Sequence, residues 1–426
     1  MKKFALLIIA TVAFYMSAQS QHICTGKCNG HVSAHVKPGV EVLRDGGFKS
    51  LQGKRVGLIT NPTGVDNNLK STVDILHEAP GVKLTALFAP EHGVRGDVHA
   101  GDHVDNMTDP ATGVPVYSIY GKTRRPTAEM LKDVDVLVYD IQDIGCRSYT
   151  FISTMGEAMD VCAELGKEFM VLDRPNPLGD KIEGNLTEPD CISFVSQFPI
   201  PYLYGMTPGE LAQYLNEEGI LKGGKKVKLT VVPMDGYKRN MSFRETGMPW
   251  VLPSPHIPSP EIAEYYPVSG ILGELGYMSI GVGYTEPFKL FCAQWVDAEK
   301  LAQRLNALNL PGLMFRPIHV KPFYSVGQGE NLQGVEVYIT NKDIAPLSLT
   351  QFYVMQELAD MYPDKATFKT GNANPKRFSM FDKVSGSKQI RQRFSKNHKV
   401  ADIIDYWNKD AADFAARSEK YHIYKK

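Results

Sequence analysis

Carboxylate, amide and guanidinium side chains cluster directly after the apolar runs in the first half of the chain. Each run predicts a buried strand, and the polar clusters that follow are Asn61, residues 90–96, residues 140–150 and residues 173–177. In an open parallel sheet the carboxyl ends of the strands share one edge, and ligands bind beyond that edge. We therefore expect the four loops to surround one cleft. Any one of them alone is equally typical of a solvated turn with a helix cap.

These side chains suit chemistry on a polar or anionic substrate. Carboxylates act as acid, base or nucleophile when their surroundings separate their pKa values. The carboxylates in or near the loops are Glu91, Asp140, Asp143, Asp173 and Glu183. Arginine suits bidentate capture of a substrate carboxylate. The arginines of the loops are Arg95, Arg147 and Arg174. Aromatic side chains that could stack on a sugar face are Tyr120, Tyr149 and Trp250.

Other kinds of site are less well supported by the sequence. His92, His99 and His103, joined by Asp102 or Asp140, leave a hydrolytic metal site as an alternative. The stretch from His99 to His103 is rich in Gly and Asp, however, and has no helical pattern that would hold both rings on one face. No Ser or Cys nucleophile has a convincing base beside it. We expect neither a metal nor a cofactor.

The N-terminal cysteines and histidines form a compact cluster of their own: Cys24, Cys28, His31 and His35. Zinc fingers place about a dozen residues between the Cys pair and the His pair, whereas only two residues intervene here. A flexible leader or a local disulfide explains the spacing better. The chain has six cysteines, which would permit disulfides outside the cytoplasm, but their pairing cannot be read from the sequence.

Alternating strand and helix patterns predict the architecture of the first half. Apolar runs at residues 55–60, 82–88, 134–139, 169–172 and 227–232 predict strands. Helices are predicted at 69–78, at 126–132 directly after an arginine pair, at 154–165 and at 207–218, the last two from capping boxes. This alternation is typical of a parallel sheet with helices on both faces. The turn after the first strand lacks G-x-G-x-x-G, which argues against a dinucleotide cofactor.

Composition and length set the broad class. The chain has 426 residues, 43% of them hydrophobic, with 47 basic and 47 acidic residues, a formal charge of zero. This balance is typical of a globular protein and lacks the basic footprint of a nucleic-acid binder. Lys2, Lys3 and the apolar run to Met16 predict a signal peptide over residues 1–18. We expect an exported protein, periplasmic or extracellular, without stable membrane insertion.

A proline-dense stretch at residues 247–268 predicts a domain boundary. We expect a flexible leader at residues 19–48, a first domain at 49–255 and a second at 256–426. In the second domain, residues 298–307 and 400–420 predict helices and 333–340 a strand.

The polar motifs also resemble a known family, the NamZ-type exo-β-N-acetylmuramidases. The matching stretches are residues 60–64, 88–96, 140–145, Arg147 with Tyr149 and Thr150, residues 172–177, and residues 421–424 at the C-terminus. The resemblance runs from about residue 50 to the end of the chain. It implies a Rossmann-like first domain, a smaller α+β second domain with a cleft between them, and release of terminal N-acetylmuramic acid from peptidoglycan fragments, either disaccharides or muropeptides.

The resemblance gives the carboxylates provisional roles. Glycoside hydrolysis usually needs two carboxyl groups. Glu91 is the first choice for general acid because Pro90 and Gly93 predict a fixed turn, and its partner is Asp143, Asp140 or Glu183, in that order. Muramic acid carries a lactyl carboxylate, for which Arg95, Arg147 or Arg174 would be a natural clamp. Further substrate contacts are expected from Asn61, His92, Gln142, Tyr149, Asp173, Arg174, Asn176 and Glu183.

Two departures from the family pattern keep other functions open. The family commonly has Ser-Glu-Gly-Arg-Gly-Thr in the second domain, where this chain has Ile280 and Val282 at the Glu and Arg positions. His256 stands where the family usually has Asn. The alternatives are a glycan-binding protein with a degenerate site and a metal-dependent deacetylase or amidase. The exact aglycone, the stereochemical course and the oligomeric state cannot be read from the sequence.

Overall fold

A seven-stranded sheet forms the centre of the first half of the molecule. The computed structural model describes residues 36–91, 93–95, 107–121, 123–369 and 371–426. The strands of this sheet, in spatial order, are β3 (Met107–Thr108), β4 (Pro115–Ser118), β2 (Lys83–Ala89), β1 (Arg55–Thr60), β5 (Val136–Asp140), β6 (Glu168–Leu172) and β9 (Lys228–Val232). All pairings are parallel except that of β3 with β4.

Helices cover both faces of this sheet because its central strands are apolar on both sides. The helices of the first half are α1 (Gly39–Asp45), α2 (Thr72–Glu78), α3 (Phe151–Leu165) and α4 (Pro208–Glu217). On β5, Val136 and Val138 pack with α1 and α2, whereas Leu137 and Tyr139 pack with α3 and α4. Such two-sided burial is expected of parallel strands. The α/β architecture predicted from the sequence is confirmed.

A smaller antiparallel sheet and its helices form the second half. Its three strands are β10 (Leu290–Ala293), β12 (Leu332–Ile339) and β11 (Leu313–Val320), in that spatial order. The helices are α5 (Pro260–Gly273), α6 (Ala298–Ala307), α7 (Thr350–Met361), α8 (Phe378–Ser385), α9 (Lys388–Asn397), α10 (Ile404–Asn408) and α11 (Ala411–Ser418). A hairpin of β7 (Ile182–Glu183) and β8 (Leu203–Tyr204) belongs to the first half.

The two halves share side chains across their junction. Ile144 and Tyr202 of the first half lie in the hydrophobic core of the second. Phe414, near the C-terminus, packs into the core beside α4. The Tyr424 hydroxyl donates a hydrogen bond to Asp173, at the end of β6, at 2.6 Å. The C-terminal segment therefore returns to the first sheet.

Several local expectations differ from the structure. Residues 126–132 form turns, and residues 400–420 form two short helices and two 3-10 turns in place of one helix. Part of the expected leader is α1, whose Val40 and Leu43 are buried against the sheet. Within the described ranges, no helix is both long and apolar enough to cross a bilayer. The described cysteines are Cys146, Cys162, Cys191 and Cys292, and all four are buried free thiols.

Candidate functional site

A cavity of about 640 Å³ lies where the rim of the first sheet meets the second half. Its wall from the first half comes from the loops that follow β2, β4 and β5. Its opposite wall comes from α5, from the segment after it, which includes Ile280 and Val282, and from α8. Of the side chains expected to form the site, Glu91, Tyr120 and Tyr149 line this cavity.

Glu91 is fixed at the cavity wall through both carboxylate oxygens. The Tyr120 hydroxyl donates to Oε1 at 2.8 Å, and the Thr150 hydroxyl donates to Oε2 at 2.9 Å. The turn that holds Glu91 closes through a hydrogen bond from the Gly93 N–H to the Pro90 carbonyl at 3.0 Å. Gly93 has φ = 78°, a left-handed conformation that glycine adopts without strain. This local geometry agrees with the fixed turn predicted around Glu91.

An aromatic floor runs from the first half to the second beside Glu91. Tyr149 packs edge-on against Tyr266 with ring centroids 5.6 Å apart, and Tyr266 packs against Phe288 at 4.9 Å. Burial raises the pKa of Tyr149, and the Ser254 hydroxyl opposes this shift. Burial raises the pKa of Tyr266 as well, so both tyrosines stay neutral and present apolar ring surface to the cavity. Such a surface suits the apolar face of a sugar.

Glu274 is a second carboxylate in the cavity, and no motif in the sequence pointed to it. It caps the C-terminal end of α5 and lies on the wall contributed by the second half. Burial raises its pKa, and Arg377, whose Nη2 lies 3.8 Å from Oε2, opposes the shift. The neighbouring residues in the sequence are mostly apolar, and only the packing of α5 against the first half places this side chain in the cavity.

Asp140 and Arg174 form a buried ion pair instead of lining the cavity. Arg174 donates through Nε to Oδ1 of Asp140 and through Nη2 to Oδ2, the latter at 2.9 Å. Thr72 also donates to this carboxylate, and Arg174 reaches the Val65 carbonyl at 2.9 Å. Each side chain is nearly inaccessible to solvent. This geometry does not support the expected catalytic role of Asp140 or substrate capture by Arg174, because the two charges satisfy each other.

The amides expected to bind substrate join the rim loops to one another. Gln142 donates to the Pro175 carbonyl at 2.6 Å, and Asn176 donates to the Met206 carbonyl at 3.0 Å. Asn61 accepts from the Thr63 N–H at 3.0 Å. These three side chains are buried and lie outside the cavity lining. They therefore form a buried polar platform that connects the rim loops outside the cavity lining.

Asp173 belongs to the same platform. It accepts hydrogen bonds from Thr207 at 2.7 Å and from the Gly209 N–H at 2.8 Å, at the start of α4. Burial raises its pKa to about 7. Its contacts anchor α4 and the C-terminal Tyr424, and none of them faces the cavity.

Asp143 lies behind the cavity wall. It is 2% exposed and accepts hydrogen bonds from the Tyr204 hydroxyl and from the Gly145 N–H, the latter at 2.8 Å. Burial raises its pKa to about 6. Its Oδ1 has no hydrogen-bond partner among the residues that the structure describes. Its charge raises the pKa of Tyr149, so the carboxylate lies close to that ring without lining the cavity.

Arg147 and Arg95 are both engaged within the protein. Arg147 is fully buried and donates to the carbonyls of Asn185 at 2.7 Å, Ile200 at 2.6 Å and Val384 at 3.2 Å. It therefore joins the first half to α8 in the second. Arg95 pairs with Asp109, with Nη2 2.9 Å from Oδ1. Neither guanidinium lies in the cavity lining, so neither is placed to clamp a substrate there.

Glu183 also connects the two halves. Its carboxylate accepts from the Ser348 N–H at 2.8 Å and the Ser348 hydroxyl at 2.6 Å, and from the Leu347 N–H at 3.2 Å. These bonds hold β7 against the start of α7. The expected partnership of Glu183 with Glu91 is therefore not seen.

The histidines proposed as metal ligands cannot be placed. His92, His99, His103 and Asp102 lie outside the described residues, as do Cys24, Cys28, His31 and His35. Among the residues that are described, no group of three or more His, Cys, Asp or Glu side chains is arranged to hold a metal ion.

A parallel sheet covered on both faces, with a cavity at its carboxyl edge lined by Glu91, Glu274 and aromatic rings, defines an α/β protein with the pair of carboxyl groups that glycosidases use. Family comparison gives the particular class. The family model of the N-terminal domain of exo-β-N-acetylmuramidase NamZ matches residues 56–261, and the C-terminal model matches residues 264–424. The chain belongs to the NamZ exo-β-N-acetylmuramidase family, and the expected glycosidase class is thereby confirmed.

Individual relatives agree with this assignment. The peptidoglycan β-N-acetylmuramidase NamZ of Bacillus subtilis (strain 168) is 46% identical over 391 residues, 91% of each chain. Two solved DUF1343 family proteins of Bacteroides fragilis NCTC 9343 have the same fold. One has a TM-score of 0.88 at 63% identity, over 92% of this chain and 99% of its own. The other has a TM-score of 0.72 at 26% identity, over 92% of this chain and 100% of its own.

Proposed function

We propose that the protein is an exported glycosidase that releases terminal N-acetylmuramic acid from peptidoglycan fragments, with Glu91 as general acid. The observation that carries this proposal is the placement of Glu91 in the cavity, with both oxygens held by hydroxyl groups. Membership of the NamZ family supports the substrate class.

The partners of Glu91 suit a group that changes protonation state during a reaction. A hydroxyl can donate to a carboxylate and can accept from a carboxylic acid. Tyr120 and Thr150 can therefore keep Glu91 in place in either state. Asp140 differs, because its partner Arg174 only donates and favours the ionised form alone. This contrast supports Glu91, and not Asp140, as the proton donor to the leaving oxygen.

Glu274 is the carboxyl that we assign as partner of Glu91. It faces the same cavity from the second half, and burial raises its pKa, so that its carboxylate is a stronger base than an exposed one. Asp143 has a raised pKa as well, but its burial keeps it from contact with a sugar or with water in the cavity. Asp143 would therefore act through Tyr149.

The test compares Glu91→Gln and Glu274→Gln with wild type on a 4-nitrophenyl β-glycoside of N-acetylmuramic acid and on the corresponding disaccharide. General acid and base groups each contribute about a hundredfold to ten-thousandfold. We expect Glu91→Gln to lose much more rate on the disaccharide, because nitrophenolate leaves without a proton, and Glu274→Gln to lose similar rate on both. The control is Glu264→Gln, on the same helix, where burial also raises the carboxyl pKa but the partner is Lys342 at 3.5 Å.

Other results would point to the remaining functions. Turnover that survives Glu91→Gln on the disaccharide would remove Glu91 from the mechanism. A larger loss in Asp143→Asn than in Glu274→Gln would make Asp143 the partner. Saturable binding of muropeptides without cleavage would favour a glycan-binding protein. Loss of activity in excess chelator, restored by a divalent metal, would favour a metal-dependent hydrolase.

Export is supported by the residue pattern at the N-terminus. Two lysines, an apolar run and the small residues near Ala18 form a signal-peptide pattern. Cell fractionation and the intact mass of the purified protein test this part of the proposal. A mature chain that begins near Gln19 outside the cytoplasm is expected, and an uncleaved cytoplasmic chain would contradict it.

A further inference from the structure

The three arginines that the sequence offered as a carboxylate clamp are all occupied. Arg95 pairs with Asp109, Arg147 donates to main-chain carbonyls, and Arg174 pairs with Asp140. The cavity nevertheless contains a guanidinium. It belongs to Arg124, which lies on the same wall as Glu91 and Tyr120.

Arg124 is held in place by stacking. Its Cζ lies 4.6 Å from the centroid of the Phe194 ring, and its side chain is exposed. Within the described part of the chain it has no ion-pair partner. The adjacent Arg125 differs, since its Nη2 lies 2.7 Å from Oε2 of Glu164. A guanidinium stacked on a ring keeps the donors at its edge available for a planar anion and loses little freedom when it binds one.

Arg124 is also close to Tyr120, the residue that is bonded to the proposed general acid Glu91. Burial and the neighbouring Glu91 raise the pKa of the Tyr120 hydroxyl, and the charge of Arg124 opposes them. Arg124 therefore lies near Tyr120, whose hydroxyl is bonded to Glu91. In muramic acid the lactyl ether is on the same ring as the scissile bond. Arg124 and Glu91 line the same cavity, and Tyr120 is a neighbour of both, so a muramic acid ring held at Glu91 would carry its lactyl carboxylate on the Arg124 side of the site.

We propose that Arg124 binds the lactyl carboxylate of the terminal muramic acid and so selects this sugar. The proposal rests on the proposed function and adds the residue that determines specificity. Lys383 is the other cavity-lining cation without an ion-pair partner among the described residues, and it is on the wall contributed by the second half. Arg124 is favoured because its planar edge allows two parallel hydrogen bonds to a carboxylate, whereas an ammonium group is a point charge.

The test uses two 4-nitrophenyl glycosides of N-acetylmuramic acid, one with the free lactyl carboxylate and one with the lactyl carboxamide. They differ in charge and hardly in shape. We expect wild type to prefer the carboxylate. Arg124→Gln should lower kcat/KM for the carboxylate by tenfold to a hundredfold, mainly through KM, and leave the carboxamide nearly unchanged. Arg125→Gln is the matched control, and it should keep the wild-type preference.

Each outcome decides the proposal. A wild-type enzyme with no preference for the carboxylate, or an Arg124→Gln variant that keeps the full preference, would overturn it. If only Lys383→Gln lost the preference for the carboxylate, the lactyl carboxylate would be bound by Lys383 of the second half. That result would also overturn the proposal for Arg124. These results leave the proposed function standing, provided that wild type cleaves the muramic acid glycoside. Failure of wild type to cleave either glycoside would reject the proposed function itself, and this assignment with it.

Discussion

The hydroxyl oxygen of Tyr120 lies 2.8 Å from Oε1 of Glu91, although the two residues follow different strands. Glu91 comes after β2 and Tyr120 after β4. These strands are parallel neighbours in the sheet, with Ala89 paired to Ser118. The order of the strands therefore brings a proton-bearing hydroxyl onto a carboxylate, which a linear motif cannot show.

Removal of this hydroxyl should lower turnover without unfolding the protein. We expect Tyr120→Phe to reduce kcat about tenfold or more, because the hydrogen bond that holds Oε1 of Glu91 is lost and Glu91 is less firmly placed. Steady-state kinetics on the muramic acid disaccharide measure the effect. Tyr117→Phe is the control, since the ring of Tyr117 packs against Phe88 outside the cavity lining. Equal activity of Tyr120→Phe and wild type would show that the contact has no catalytic role.

Asp143 should make stability depend on pH. Burial raises its pKa from 3.8 to about 6, so between these values the folded protein retains a proton that the unfolded chain has released. The free energy of unfolding contributed by this group therefore falls as pH rises from about 4 to about 6, and is constant above that range. Urea denaturation of wild type and Asp143→Asn at several pH values measures how the free energy of unfolding depends on pH. If the free energy of unfolding of Asp143→Asn changed with pH as steeply as that of wild type, the pH dependence could not be assigned to Asp143.

Arg147 should be needed for stability and not for substrate binding. Replacement by Met leaves the carbonyls of Asn185, Ile200 and Val384 without their donor, and an unsatisfied buried polar group costs about 1–3 kcal/mol. We expect Arg147→Met to lower the free energy of unfolding by about 3 kcal/mol or more, with KM of the folded fraction unchanged. Chemical denaturation and kinetics measure the two quantities. Normal stability with a raised KM would restore the clamp role expected from the sequence.

Glu183 should stabilise the contact between the two halves. Glu183→Gln weakens three hydrogen bonds to Leu347 and Ser348, and we expect a loss of about 2 kcal/mol in the free energy of unfolding. Thermal denaturation measures the loss of stability, and kcat is measured separately to detect any catalytic effect. Glu217→Gln is the control, because this carboxylate is 49% exposed and pairs with Lys226 on the surface. A catalytic defect in Glu183→Gln without loss of stability would return Glu183 to the active site.

Local sequence signals predicted the limits of secondary-structure elements correctly where interactions between neighbouring residues determine them. The strand at Arg55–Thr60 and the helix at Ala298–Ala307 have the predicted limits, and Thr207 with Glu210 forms the predicted capping box. The equally good signal at Thr154 was wrong, because α3 begins at Phe151 and Thr154 lies inside it. Phe151 and Ile152 pack into the core beside the sheet, and this tertiary burial extends the helix beyond its local start signal.

The sequence by itself determined the fold class, the family and the convergence of the polar loops on one sheet edge, because these follow from hydrophobic periodicity, the alternation of strands and helices, and contiguous motifs. Only the tertiary structure decided which of the polar residues face the cavity. Asp140 is paired with a residue 34 positions away, and Arg147 donates to a carbonyl 237 positions away. A charged side chain is available to substrate only if nothing nearer satisfies it, and its nearest partners are set by chain packing over distances that no local pattern encodes. For the same reason Arg124 and Glu274 became candidates only once the two halves were seen together.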